Sequence, residues 1–263
     1  MEYFIWDANP VFISFAGFSI YWYGILFATA MISGFSVMNK IYSYENKSIE
    51  QLESLQIYIV IGIVVGARLG HCLFYNPEYY LANPLKILAI NEGGLASHGG
   101  GIGMALATLY YAHKNKINYL YLLDRLAIPT ALFAFFVRMG NFMNSEIIGV
   151  QTEVPWAIVF SKIDSLPRHP AQLYEALSYI SIFIILGLIY VYKKAKVAQG
   201  LLLGLFFTLI FSVRIVVEFV KVRQASYSEE MLFSTGQLLS VPFLLVGLGL
   251  IIIALYKKEK KVV

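Results

Sequence analysis

Arg68, Arg138 and Arg214 lie within or at the edge of long apolar runs, where a charge costs about 2.5–3.5 kcal/mol on insertion scales. Three guanidinium groups in such places need partners, water or an anionic ligand. The stretch VRMGNFMNSEIIG, residues 137–149, follows Arg138 with Asn141, Asn144, Ser145 and Glu146. Glu218 stands four residues after Arg214, Tyr23 lies in YWYG, and His98 opens SHGGGIG. Planar guanidinium forks suit phosphate and carboxylate oxygens. A glycine-rich helix start lets backbone approach a ligand and offers free N–H groups to an anion. The chemistry these types share is anion binding, with a histidine at hand for proton transfer.

The elements that must hold these residues are membrane helices. The chain is 59% hydrophobic and 14% charged, with mean hydropathy +0.68; soluble domains carry about 25% charged residues. Several apolar runs reach the roughly 20 residues that cross a bilayer. The reading is an all-α polytopic membrane protein with seven transmembrane helices in a single domain over residues 1–263. The spans are expected at about 18–38, 55–75, 95–113, 119–140, 173–192, 200–220 and 236–256, with longer outer loops at 76–94 and 141–172. Lys40, Lys47, Lys114, Lys116, Lys193, Lys194, Lys196, Lys257, Lys258, Lys260 and Lys261 follow spans 1, 3, 5 and 7. Arg125 adds a twelfth cation to that side, against Lys86, Lys162, Arg168, Lys221 and Arg223 on the other. The positive-inside rule then puts the N-terminus outside and the C-terminus in the cytoplasm. Lysines clustered between apolar runs need no nucleic-acid partner. The first 17 residues contain no Lys or Arg, unlike a cleavable signal peptide, and Cys72, the only cysteine, excludes an internal disulfide.

In this topology the costly residues converge. Arg68, Arg138 and Arg214 fall in the outer halves of three spans, with Tyr23 and His98 near the outer starts of two more. RHPAQLYEA, from Arg168, adds His169, Gln172, Tyr174 and Glu175 at the outer start of the fifth span. Plain structural readings stand beside the functional ones. Arg214 and Glu218 can neutralise each other at i,i+4, and Arg138 can snorkel to the interface. Asn141 and Asn144 can turn the chain, Glu146 can be a solvated loop charge, and Tyr23 can belong to an aromatic belt. His98 can be an interfacial histidine, and Asp124 with Arg125 reads as a local charge pair. Gly62, Gly66 and Gly70 form a GxxxGxxxG row that lets helix backbones pack closely. HGGG lacks the G-x-S-x-G elbow that a lipase reading needs. G101-I-G103 lacks the third glycine and βαβ setting of a dinucleotide site. No His/Cys/Asp grouping has metal-ligand spacing.

Taken together, the strings resemble the prolipoprotein diacylglyceryl transferase family of the bacterial inner membrane over nearly the whole chain. They are YWYG at 21–24, GARLG at 66–70, LFYNP at 73–77, EGGLASHGGGIG at 92–103, LLDRLAIP at 122–129, RMGNFMNSEIIG at 138–149, RHPAQLYEA at 168–176, RIVVEF at 214–219 and GQLLSVP at 236–242. The fourth-span string is the family's signature. Val137 stands where the family usually has glycine, and VRQASY replaces a Pro-Asp that usually follows VEF.

The resemblance implies two substrates, phosphatidylglycerol and a preprolipoprotein bearing a lipobox cysteine. The diacylglyceryl group moves to the thiol and glycerol phosphate leaves, with no metal or cofactor, at a site facing the outer leaflet. In this reading His98 is the base, and Arg138 and Arg214 hold the phosphate. Tyr23, Arg68, Gly99, Asn141, Asn144, Glu146, Gly149 and Glu218 bind and orient the headgroup. The rivals are an anion transporter, expected to show inverted repeats and midplane broken helices that the sequence lacks, and a lipid-binding scaffold, which needs the arginines but no base.

Overall fold

A computed structural model describes residues 2–15, 17–89, 93–222 and 233–259. Helices dominate, and the protein is a polytopic α-helical membrane protein. Six helices are long and apolar enough to cross a bilayer: α1 (Trp22–Tyr44), α2 (Ile49–Phe74), α5 (Tyr119–Met143), α6 (Ala171–Tyr192), α7 (Leu201–Glu218) and α8 (Thr235–Glu259). The third expected span corresponds to α4 (Ser97–Lys114), 18 residues long, whose opening SHGGGIG trades apolar side chains for glycine. The short helix α3 (Pro77–Ala82) and a 3-10 turn (Pro84–Leu88) fill much of the loop between α2 and α4.

Five short strands were not expected. The hairpin β2 (Val11–Phe15) and β3 (Phe18–Tyr21) precedes α1 and turns at Gly17, with φ of 83°. β1 (Phe4–Trp6) pairs in parallel with β4 (Ile158–Phe160), which pairs antiparallel with β5 (Pro167–Arg168). The segment after the signature string is therefore a small sheet that includes the N-terminus. Trp6 locks it to α5: its ring lies 4.3 Å from that of Phe142 and its indole N–H donates to the Phe142 carbonyl at 3.1 Å. Phe142, Ile158 and Phe160 form the buried cluster beneath.

The chain divides into two compact units, residues 39–122 and residues 1–38 with 123–263. In the first, α2 and α4 pack glycine against glycine. A Cβ on Gly66 would lie 2.8 Å from the Gly103 Cα, and one on Gly70 would lie 2.8 Å from the Gly99 Cα. The expected glycine row thus brings two backbones into contact. In the second unit, Asp124 is wholly buried and accepts from the N–H groups of Gly200, at 2.7 Å, and Leu203, at 2.9 Å. It caps the start of α7 from α5, where a carboxylate also meets the positive end of the helix dipole. Its neighbour Arg125 donates to the Ala195 carbonyl. The pair at 124–125 is thus structural, but each member serves a different partner.

Candidate active site

The signature string ends α5 with a tight turn. The Ser145 N–H bonds to the Phe142 carbonyl and the Glu146 N–H to the Asn141 carbonyl, the crossed pattern of a Schellman cap. Ser145 takes the left-handed conformation that glycine usually supplies, with φ of 56°, and Ile147 follows at 57°. Such backbone costs on the order of 1–3 kcal/mol per residue and gathers at functional sites; for β-branched Ile147 it is a true outlier. The turn folds the chain back so that side chains five apart meet. Asn141 Nδ2 donates to Glu146 Oε2 at 3.2 Å, and Asn144 Nδ2 donates to Glu146 Oε1 at 3.1 Å. Asn141 Oδ1 accepts from Arg138 Nη1 at 3.0 Å. From α6, Gln172 Nε2 donates to the Glu146 carbonyl at 2.6 Å.

Behind this turn lies a buried charge network. Glu175 on α6 is wholly buried, and its Oε2 lies 2.8 Å from Arg138 Nε. The contact is an ion pair without a well-aligned hydrogen bond. Its Oε1 takes Lys221 Nζ at 2.8 Å and the Tyr179 hydroxyl at 3.3 Å. Lys221 also faces Glu218 Oε2 at 3.4 Å, and Glu218 Oε1 accepts from Ser234 Oγ at 3.0 Å. Arg214 lies on α7, one turn before Glu218. Removing one member of a buried ion pair typically costs about 3–5 kcal/mol, because a charge is left unpaired. Tyr23 packs on the signature helix, its ring against Gly140.

Three buried polar atoms at the turn have no partner among the described residues: Asn144 Oδ1, Ser145 Oγ and Gln172 Oε1. Unmet buried hydrogen-bonding groups are uncommon in native proteins. Two of the three belong to the turn itself, and the third to Gln172, which donates to the Glu146 carbonyl.

The sequence-derived residues therefore separate. Arg138, Asn141, Asn144, Glu146 and Glu218 belong to one connected network; Tyr23 packs on its helix, and Arg214 lies in the same unit on the helix that ends at Glu218. Gly149 adjoins it, but it serves backbone packing: its N–H bonds to the His169 carbonyl at 3.0 Å, and a Cβ would lie 2.7 Å from the Val220 carbonyl oxygen. His98, Gly99 and Arg68 belong to the other unit. His98 is exposed in the first turn of α4, and Gly99 sits in the α2–α4 contact. Arg68 differs most from its expected headgroup role. It is buried, and its guanidinium donates to the carbonyls of Lys86 at 2.6 Å, Ile87 at 2.9 Å, Gly94 at 3.2 Å and also Gly93. Tyr80 adds a cation–π contact at 5.2 Å. Arg68 is a clip that fastens the loop after α2 to that helix.

The family model for prolipoprotein diacylglyceryl transferase matches residues 10–253. The chain is 51% identical over 256 residues to the phosphatidylglycerol–prolipoprotein diacylglyceryl transferase of Tolumonas auensis, covering 97% of this chain and 99% of that one. It belongs to this family. The protein of the same name from Chloroherpeton thalassium is 44% identical over 251 residues, covering 95% of this chain and 94% of the relative. That from Bacteroides fragilis is 40% identical over 271 residues, covering 98% and 96%.

In this diacylglyceryl transferase family member, the residues that sequence reasoning left without a role are Gln172, Glu175, Tyr179 and Lys221. Gln172 and Glu175 carried a signal, an amide and a carboxylate opening an apolar span. Lys221 was counted as an outer-loop cation. It is buried and paired with two carboxylates instead. Nor does Glu218 serve as the neutralising partner of Arg214 one turn before it: among the described residues its ion pair is with Lys221. Among the described residues no group of three His, Cys, Asp or Glu side chains is arranged to hold a metal.

Proposed function

We propose that this chain transfers the diacylglyceryl group of phosphatidylglycerol to the lipobox cysteine of preprolipoproteins, the first step of lipoprotein maturation. Family membership supports the reaction, and the signature turn supports the place. Arg138, held by Asn141 and Glu175, begins the signature turn, which carries unpaired buried polar atoms on Asn144 and Ser145, a setting suited to a phosphate carrying a glycerol.

In the step itself, a bond forms between the cysteine Sγ and the terminal carbon of the diacylglyceryl group. The bond from that carbon to the phosphate oxygen breaks, and glycerol phosphate leaves. A phosphate ester leaves well if its charge is stabilised, which is the role of Arg138 and Arg214. A thiol with ordinary pKa near 8.5 is mostly protonated at neutral pH, so a base gains rate by taking its proton; His98 is assigned that role. The reaction needs no metal or other cofactor. The reading keeps seven spans, the N-terminus outside and a site facing the outer leaflet of the bacterial inner membrane. The lysine bias supports that orientation.

The deciding experiment incubates the purified protein with phosphatidylglycerol and a lipobox peptide and reads the peptide's mass. A gain of one diacylglyceryl group is expected. An unmodified peptide alongside bound lipid would leave only a lipid-binding scaffold. Cysteine labelling in intact cells tests the orientation: a Lys194→Cys variant labelled from the outer face would overturn it.

A further inference from the structure

We propose that Glu175 is the positioning residue of the phosphate arginine, an inference that rests on the transferase reading above. Arg138 is held at two edges. Glu175 meets its Nε from α6 at 2.8 Å, and Asn141 accepts from Nη1 at 3.0 Å. A guanidinium carries five N–H groups in a rigid plane. The hydrogen bond at one edge and the ion pair at the other restrict the plane, so the N–H groups that Asn141 and Glu175 do not meet keep one direction. Stabilising developing charge requires donors already aimed where that charge appears. Glu175 supplies that aim without touching substrate.

The carboxylate has a second partner that separates two roles. Lys221 Nζ lies 2.8 Å from Glu175 Oε1 and 3.4 Å from Glu218 Oε2, with its side chain 6% exposed. A buried ammonium needs an anion of its own. Glu175 could therefore exist only to neutralise Lys221, with its approach to Arg138 incidental. The geometry favours positioning: each carboxylate oxygen faces a different cation, and Lys221 has Glu218 in reserve whereas Arg138 has no other carboxylate among the ion pairs of the described residues.

The test compares Glu175→Gln, Lys221→Met, the double variant and Glu175→Asp with wild type. Transfer to a lipobox peptide, thermal stability in detergent and binding of glycerol phosphate are read for each. Glu175→Gln alone should lose both stability and transfer, because it leaves Lys221 only the longer contact to Glu218 and frees Arg138. In the double variant the lysine charge is gone, so stability should recover. Transfer should stay about 10²-fold or more below Lys221→Met, and glycerol phosphate should bind more weakly than to Lys221→Met. Transfer in the double variant equal to that of Lys221→Met would show that Glu175 only neutralises the lysine. Should the double variant not insert, Glu175→Asp decides. It keeps the charge for Lys221 but withdraws the carboxylate by one methylene, and unchanged transfer would overturn the proposal. A wild-type protein that makes no product sinks the transferase reading instead, and glycerol phosphate binding across the same variants then judges Glu175 by itself.

Discussion

Asn141 Oδ1 lies 3.0 Å from Arg138 Nη1, one helical turn before it, while the other end of the same amide donates to Glu146 at 3.2 Å. Only a carboxamide both accepts from a cation and donates to a carboxylate in this way. Asn141→Asp keeps the shape but sets a negative charge against Glu146 and captures Arg138. Transfer should fall about 10²-fold or more, with weaker phosphatidylglycerol binding. Steady-state kinetics on the purified variant check this; a change of less than threefold would show that the amide merely turns the chain.

Arg138→Lys and Arg214→Lys retain charge but lose the planar fork. Each should cost about 10²–10³ in rate in protein that still inserts. Near-normal rates in both would reduce the arginines to snorkelling charges.

His98→Gln should slow transfer by about 10²–10⁴ if His98 is the base, while phosphatidylglycerol binding persists. The deficit should shrink as pH rises towards the thiol's own pKa, because thiolate then forms unaided. Rates from about pH 6 to 9 bracket the ordinary histidine and cysteine values. A wild-type-to-variant ratio that stays flat across that range removes His98 as the base.

Gly66→Ala and Gly101→Ala make the same change on either side of one helix contact. A Cβ on Gly66 meets the α4 backbone, whereas one on Gly101 meets nothing within 4 Å. Overpacking of this kind costs about 1–3 kcal/mol or more, while alanine in an open helical position gains about 1 kcal/mol over glycine. Thermal unfolding in detergent should move down for the first and stay level or rise for the second.

Asp164, in the loop before β5, lies beside Arg168 at 2.5 Å, and hydrogen bonding from that guanidinium holds its carboxyl below the usual carboxylate range. A depressed carboxyl stabilises the fold at pH above its unfolded value of about 3.9, and that stabilisation is lost as pH falls through the folded value. Arg168→Met should raise the Asp164 titration towards the ordinary value. Carbon-13 NMR of the labelled carboxyl follows it directly, and an unchanged midpoint would mean that Arg168 is not the cause.

The membrane helices were legible because length and apolarity decide them; α5 and α6 begin and end within a few residues of expectation. The first span, expected at 18–38, is a helix from Trp22 to Tyr44. Phe18 and Ile20 are as apolar as the helix they precede, and only the turn at Gly17 marks them as part of a hairpin. In the site, the cost of charge in an apolar run pointed to Arg138 and Arg214. That cost does not reveal the partner. Lys221 stands three residues past the end of α7, so it reads as a loop residue until tertiary packing buries it. Arg68 was legible as a charge needing partners, but those partners are carbonyls, which every sequence has everywhere.

Arg68 grips the main chain at residues 86, 87, 93 and 94. Its hold makes no demand on the side chains at 86 and 87, because it takes only their carbonyls. It is strict at 94, where φ is 76° and a Cβ would lie 3.0 Å from the guanidinium and 2.5 Å from the His71 ring. The same clasp is thus permissive at one end of the loop and exacting at the other, so a change of side chain should be tolerated at 86 or 87, whereas a side chain added at 94 should unseat the loop.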